Sequence, residues 1–165
     1  MFRTMRRAKQ ELSREECEAI LEAGSNGTLA VLGDDGYAYA VPLSYVYWNG
    51  KIVFHCAKKG HKLDALIANP KVSFCVVGQD EVTPETFATD YTSVIVFGRA
   101  RVMDDEDEIL ASIRALGMKY CAEVPVERHE EEIAKDRPIL CMVAIEVDHM
   151  TGKESRAMAQ ARRGF

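Results

Sequence analysis

Hydrophobic and polar positions along this chain fall into alternating runs, short continuous apolar runs and a few stretches of helical period. The sharpest alternation, aromatic against small, runs from Tyr37 to Tyr47 and carries Pro42. Asn49-Gly50 follows, the strongest short hairpin signal. Lys51 to Ala57 is the returning strand, with IVFH in its middle. Further strands are predicted over 27–33, 71–78, 91–103 and 139–147, the last strongly apolar. Gly98 inside the 91–103 strand suggests a bulge or a close backbone approach. The acidic, polar stretch 79–90 reads as a loop.

Helical periods are fewer. Ser13 and Glu16 fit a capping box ahead of a helix to about Ala23, closed by Gly24. LDALIA opens directly after a basic loop, and Asn69-Pro70 stops the helix 61–68. Asp104–Tyr120 is the clearest helix, with an acidic start and an apolar stripe of Ile109, Leu110, Ile113 and Leu116. A shorter helix is expected over 126–135. The pattern predicts a mainly β protein with peripheral helices: about six antiparallel strands closed into a barrel, which removes exposed edges. The chain reads as one domain over 1–165, with 1–10 and 154–165 flexible or lying on a partner.

Composition narrows the function. The 165 residues are 47% hydrophobic and 28% charged, and the net charge is −5. That balance argues against non-specific nucleic-acid binding. No apolar run reaches the roughly 18 residues of a membrane span, and no apolar stretch follows the basic N-terminus, so a cytoplasmic location is expected. Five widely spaced cysteines without a C-x-x-C argue against a disulfide framework or a structural zinc site. Cys56, Cys75 and Cys141 lie in apolar strand runs and read as small core residues, and no metal ligands are assigned.

The candidate chemistry gathers at residues 58–62, KKGHK, just before the helix 61–68. A helix N-terminus offers unpaired N–H groups and partial positive charge. Gly60 permits close backbone approach, and Lys58, Lys59, His61 and Lys62 add charge, so a phosphate would sit well there. The strand before the hairpin, with Pro42, Leu43 and Ser44, could flank a planar ring.

The ordered segments VPLSYVY (41–47), FHCAKKGHKLDAL (54–66) and SVIVFGRARV (93–102) resemble the flavin-binding split-barrel family, the pyridoxamine 5′-phosphate oxidase-like group. Within it they are most similar to the Nim type, named for 5-nitroimidazole resistance. The resemblance spans about Met5 to Lys153. It implies FMN bound across a homodimer interface, with two equivalent sites. On that footing His55, Ala57, Lys58, Gly60, His61 and Lys62 lie on the flavin side, and Lys58 and Lys62 pair with the phosphate. Pro42, Leu43 and Ser44 pass beside the ring, and Ser93 and Val94 reach it from the partner chain. His55 matches a histidine near the cofactor and is the catalytic candidate. Tyr45 and Tyr47 could line the ring pocket or pack across the hairpin, and Trp48 reads as packing. Lys153 matches the end of the family's C-terminal strand.

The resemblance implies a flavin-dependent oxidoreductase that passes NAD(P)H-derived electrons to a nitroaromatic or related small acceptor. The alternative is a non-catalytic binding protein for flavin, haem or a deazaflavin. The extra arginines and longer C-terminal segment with which pyridoxamine phosphate oxidases proper hold the substrate phosphate are not found, which argues against that substrate.

Overall fold

The computed structural model of the protein describes residues 1–164, and its frame is a curled antiparallel sheet. In chain order the elements are α1 (Arg14–Ala23), β1 (Gly27–Leu32), β2 (Ala38–Leu43), β3 (Val46–Trp48), β4 (Lys51–Ala57), α2 (His61–Ala68), β5 (Lys71–Thr83), β6 (Ala88–Val102), α3 (Glu106–Cys121), α4 (Val126–Asp136), β7 (Leu140–Glu154) and α5 (Arg156–Arg163). The strands are ordered β2-β1-β5-β6-β7-β4-β3, seven rather than about six. The Ser13–Glu16 capping box forms as its residues dictate. Asn49 and Gly50 both take positive φ, as a two-residue hairpin requires.

The extra strand comes from a break in the 37–47 run. β2 and β3 lie at opposite edges of the sheet, so the two residues between them, Ser44 and Tyr45, carry the chain from one end to the other. Side chains replace the ladder there. The Tyr45 ring is fully buried, and its hydroxyl donates to the Leu21 carbonyl at 2.7 Å. The Tyr45 N–H donates to the Tyr120 hydroxyl at 3.0 Å. Curling of the sheet brings its ends together at this joint.

Two cores follow from the topology. Inside the curl lie Leu29, Tyr45, Phe54, Phe74, Val94 and Ile145, plugged by Leu21 of α1 and Leu66 of α2. Outside it, Val53, Met142 and Ala144 pack under Ile109, Ile113 and Leu116 of α3. β4 and β7 are therefore buried on both faces, which explains their near-continuous apolar runs. At Gly98 a side chain would meet the Glu146 carbonyl oxygen at 2.2 Å, and the β6–β7 register shifts there.

Two expectations are corrected, the loop at 79–90 and the core placement of Cys75. The 79–90 stretch is not a loop: β5 and β6 continue as a two-stranded ribbon, turning through a short 3-10 segment and Phe87 in the left-handed region. A projecting ribbon buries neither face, so polar composition does not exclude strand. The C-terminal segment forms α5, capped by Ser155, with Ala159 buried and Arg162 paired to Glu16 and Glu154. Ion pairs to the rest of the chain, not an apolar stripe, dock it. At the start of the chain, buried Gln10 donates to the Glu154 carbonyl at 2.9 Å. Phe165 lies outside the described residues. Cys75, read as core, instead faces outward opposite Thr28 and Ile95 and is half-buried.

Candidate functional site

The C-terminal end of β4 feeds the basic loop. Gly60 sits at φ +130°, which disfavours any side chain, and a Cβ there would meet nothing within 4 Å. No side chain caps α2. Its first backbone bond runs from Asp64 N–H to the Gly60 carbonyl at 3.1 Å, so the N–H groups of His61, Lys62 and Leu63 have no acceptor within the helix. Among the described residues, no carboxylate lies within ion-pair distance of Lys58, Lys59 or Lys62. Open backbone donors with unneutralised cations make a cradle whose chemistry fits a phosphate. The Lys62 ammonium lies 5.5 Å from the Phe54 ring centroid, beside the strand end that carries His55 and Cys56. The His61 ring turns away, stacking on Tyr39 at 4.3 Å with Nε2 3.6 Å from Asp34, which leaves its backbone N–H for the cradle.

His55 points to the outer face of β4. There it lines a cavity of about 550 Å³ between the sheet and the α3–α4 pair, together with Ser44, Tyr120, His129 and Asp136. Ile113, Leu116 and Ile133 make its walls apolar. Partial burial in this recess pushes the His55 pKa below its ordinary value, Lys62 pushes the same way, and Asp136 opposes them. His55 is therefore largely neutral at pH 7 and suits a hydrogen-bonding or proton-accepting role better than that of a standing cation. The folded protein also binds this proton less readily than the unfolded chain. The stability contributed by neutral His55 is present above the ordinary value of 6.5 and is lost as pH falls through the depressed one. Lys62→Ala is expected to raise the His55 pKa, read from its imidazole protons in an NMR pH titration. An unchanged titration would separate the two residues.

The other sequence candidates divide. Ser44 shares the His55 cavity, Leu43 is half-buried against the inner core, and Pro42 is exposed on edge strand β2. Ala57 is exposed at the end of β4. Lys58 opens onto a second groove, of about 650 Å³, with Arg137 and Cys141. Leu140 separates the two recesses and lines both. Val94 is wholly buried in the inner core, so its side chain offers nothing to a ligand. Ser93 pairs with Lys153 near one end of β7, whereas Ala57 pairs with Leu140 at the other. One chain thus keeps Ser93 away from the basic loop. The aromatic residues have structural work instead. Tyr45 is core, the Tyr47 hydroxyl donates to Glu18 at 2.9 Å, and Trp48 packs on the outer core.

His129 and Asp136 escaped the sequence reading. They stand seven residues apart on α4 and so share one helix face. A side chain at position 117 would meet His129 Nδ1 at 2.8 Å, so Gly117 makes room for that ring. The i, i+7 spacing was the available signal, but a surface helix gives no hint of which strand it covers. Among the described residues, no cluster of three or more His, Cys, Asp or Glu side chains could hold a metal ion. No helix among them is long and apolar enough to cross a membrane.

A curled antiparallel sheet with an uncapped basic helix start beside one strand end defines a split-barrel protein. The family model described as pyridoxamine 5′-phosphate oxidase matches residues 13–154, and the chain belongs to that family. An uncharacterised protein of Rhizobium meliloti is 34% identical over 90 residues, and the alignment spans about half of each chain, 53%. Three solved structures share the fold. A protein from Bacteroides thetaiotaomicron described as a candidate 5-nitroimidazole antibiotic resistance protein has a TM-score of 0.73 at 17% identity, covering 87% of this chain and 86% of that one. An FAD-binding protein from Mesorhizobium loti has a TM-score of 0.60 at 25% identity, covering 88% and 97%. An FAD- and haem-binding protein from Mycobacterium smegmatis has a TM-score of 0.73 at 21% identity, covering 95% and 81%.

Proposed function

We propose that the protein binds FMN as a homodimer and acts as a flavin-dependent oxidoreductase, passing NAD(P)H-derived electrons to nitroaromatic or related small acceptors. The observation that carries this reading is the cradle at 58–62: uncapped N–H groups of α2, open space at Gly60 and cations without carboxylate partners. Flavin-binding relatives of the same fold support it. The backbone N–H groups after Gly60, with Lys58 and Lys62, hold the phosphate, and Pro42, Leu43 and Ser44 flank the ring. FMN when bound supplies the two-electron redox chemistry. His55 faces the apolar recess where an acceptor can lie and offers or takes a proton at its imidazole. The α3–α4 wall excludes water from that side.

A second copy supplies what one chain keeps apart. The outward face of β2, β1, β5 and β6 bears small and apolar residues, among them Ala40, Ala30, Ile95 and Phe97, and Ser93 lies on the same face. Pairing through this face brings the partner's strand to the cradle. Phe97→Glu is expected to yield a monomer by light scattering with weakened FMN binding. A wild-type holo-protein that is monomeric would refute the shared site.

The test of function is the visible spectrum of the purified protein, followed anaerobically with NADH or NADPH. A flavin spectrum that bleaches, then recovers with a nitroimidazole, supports the reductase. A flavin spectrum inert to both donors favours the binding-protein alternative. A Soret band indicates haem, and a deazaflavin shows in its own absorption. A colourless protein that takes up no FMN overturns the reading.

A further inference from the structure

Cys56 and Cys141 are directly opposed on the antiparallel strands β4 and β7, and their sulfurs are 3.5 Å apart. Opposed residues on such strands have Cα atoms about 4.5–5.5 Å apart, inside the roughly 4.4–6.8 Å range of disulfides. Closing to the ~2.05 Å bond needs side-chain rotation, not a change of register. The two thiols differ in access. Cys56 is buried at 7% exposure, whereas Cys141 is half-buried and lines the groove of Lys58 and Arg137. Arg137 lines the same groove. We propose that this pair is an oxidisable dithiol, with Cys141 the residue that meets a peroxide and Cys56 the residue that resolves it into a cross-strand disulfide.

The step balances. The Cys141 thiolate attacks one peroxide oxygen, an S–O bond forms, the O–O bond breaks, and the leaving hydroxide takes up a proton as water. The Cys56 sulfur then attacks the Cys141 sulfur. The S–S bond forms, the S–O bond breaks, and the departing hydroxide leaves as water with the Cys56 proton. Two thiols are oxidised by two electrons and one peroxide is reduced to two waters. Burial, with Cys141 as the second cause, pushes the Cys56 thiol up to about 12, so Cys56 does not compete for the oxidant. Its closeness to Cys141 makes it a resolving group. The bond ties the strand end beside His55 to the start of β7. It does not depend on the flavin reading.

The experiment treats the full-length protein as purified with hydrogen peroxide, counts free thiols after unfolding, and maps unreduced peptides by mass spectrometry. The expected result is loss of two of the five thiols, recovered with a reductant, and a linked Cys56–Cys141 peptide. In Cys56→Ser, Cys141 is expected to stop at a sulfenic acid trapped by dimedone. If that variant does not fold, the wild-type map decides alone. Cys56 and Cys141 both remaining free to alkylate at peroxide levels that oxidise exposed Cys121 would overturn the proposal, as would Cys141 linked to any other cysteine.

Discussion

Lys62→Ala is expected to weaken FMN binding by about 1.5–3 kcal/mol, roughly ten- to 150-fold in Kd, as loss of a charge-assisted bond to phosphate would do. Lys62 is half-buried in the first turn of α2, where the helix partial charge already favours an anion. Among the described residues no carboxylate neutralises it, so its charge is available to a ligand. The ammonium also sits 5.5 Å from the Phe54 ring centroid, so truncation removes a contact worth about 0.5–1 kcal/mol to the free protein. Titration of the apo-protein with FMN by fluorescence quenching measures the loss. Lys59, exposed and two residues before the start of α2, is the control, and its replacement should cost less. Lys62→Arg should keep most of the affinity, because the charge is retained. Unchanged affinity in folded Lys62→Ala would remove the residue from the phosphate site.

Tyr45→Ala is expected to cost about 3–5 kcal/mol of stability, the range for truncating a large buried aromatic residue. The ring is fully buried, meets Phe74 edge-on at 4.9 Å, and has the Lys119 ammonium 4.1 Å from its centroid. Its hydroxyl satisfies the Leu21 carbonyl at the end of α1, and its backbone is held by Tyr120 of α3. One residue therefore ties the plug helix, the outer helix and the joint between the two sheet edges. Tyr45→Phe keeps the packing and leaves the Leu21 carbonyl without its donor, at an expected cost of about 1–3 kcal/mol. Urea unfolding followed by circular dichroism reads both. A cost below about 1 kcal/mol for Tyr45→Ala would mean that the joint is held elsewhere.

Local chemistry alone determined much of this protein. Alternating and continuous apolar runs placed five of the strands, Ser13 with Glu16 set the start of α1, and Asn49-Gly50 set the hairpin, because each depends only on neighbours in the chain. The basic loop at the start of α2 was equally legible, since Gly60, its flanking lysines and the first turn of the helix are contiguous. Tertiary structure decided the rest. The 37–47 alternation fits one strand as well as two, and only burial of Tyr45 against Leu21 breaks it. The 79–90 ribbon is held by pairing with itself, not by a buried face, so no hydrophobic signal marked it. The His55 recess needed α4 to fold over β4 before His129 and Asp136 could join it. Val94 and Ser93 are neighbours in sequence on opposite faces of β6, so one is core and the other faces outward. Periodicity tells which residues share a face, but what covers that face depends on elements far away in the chain.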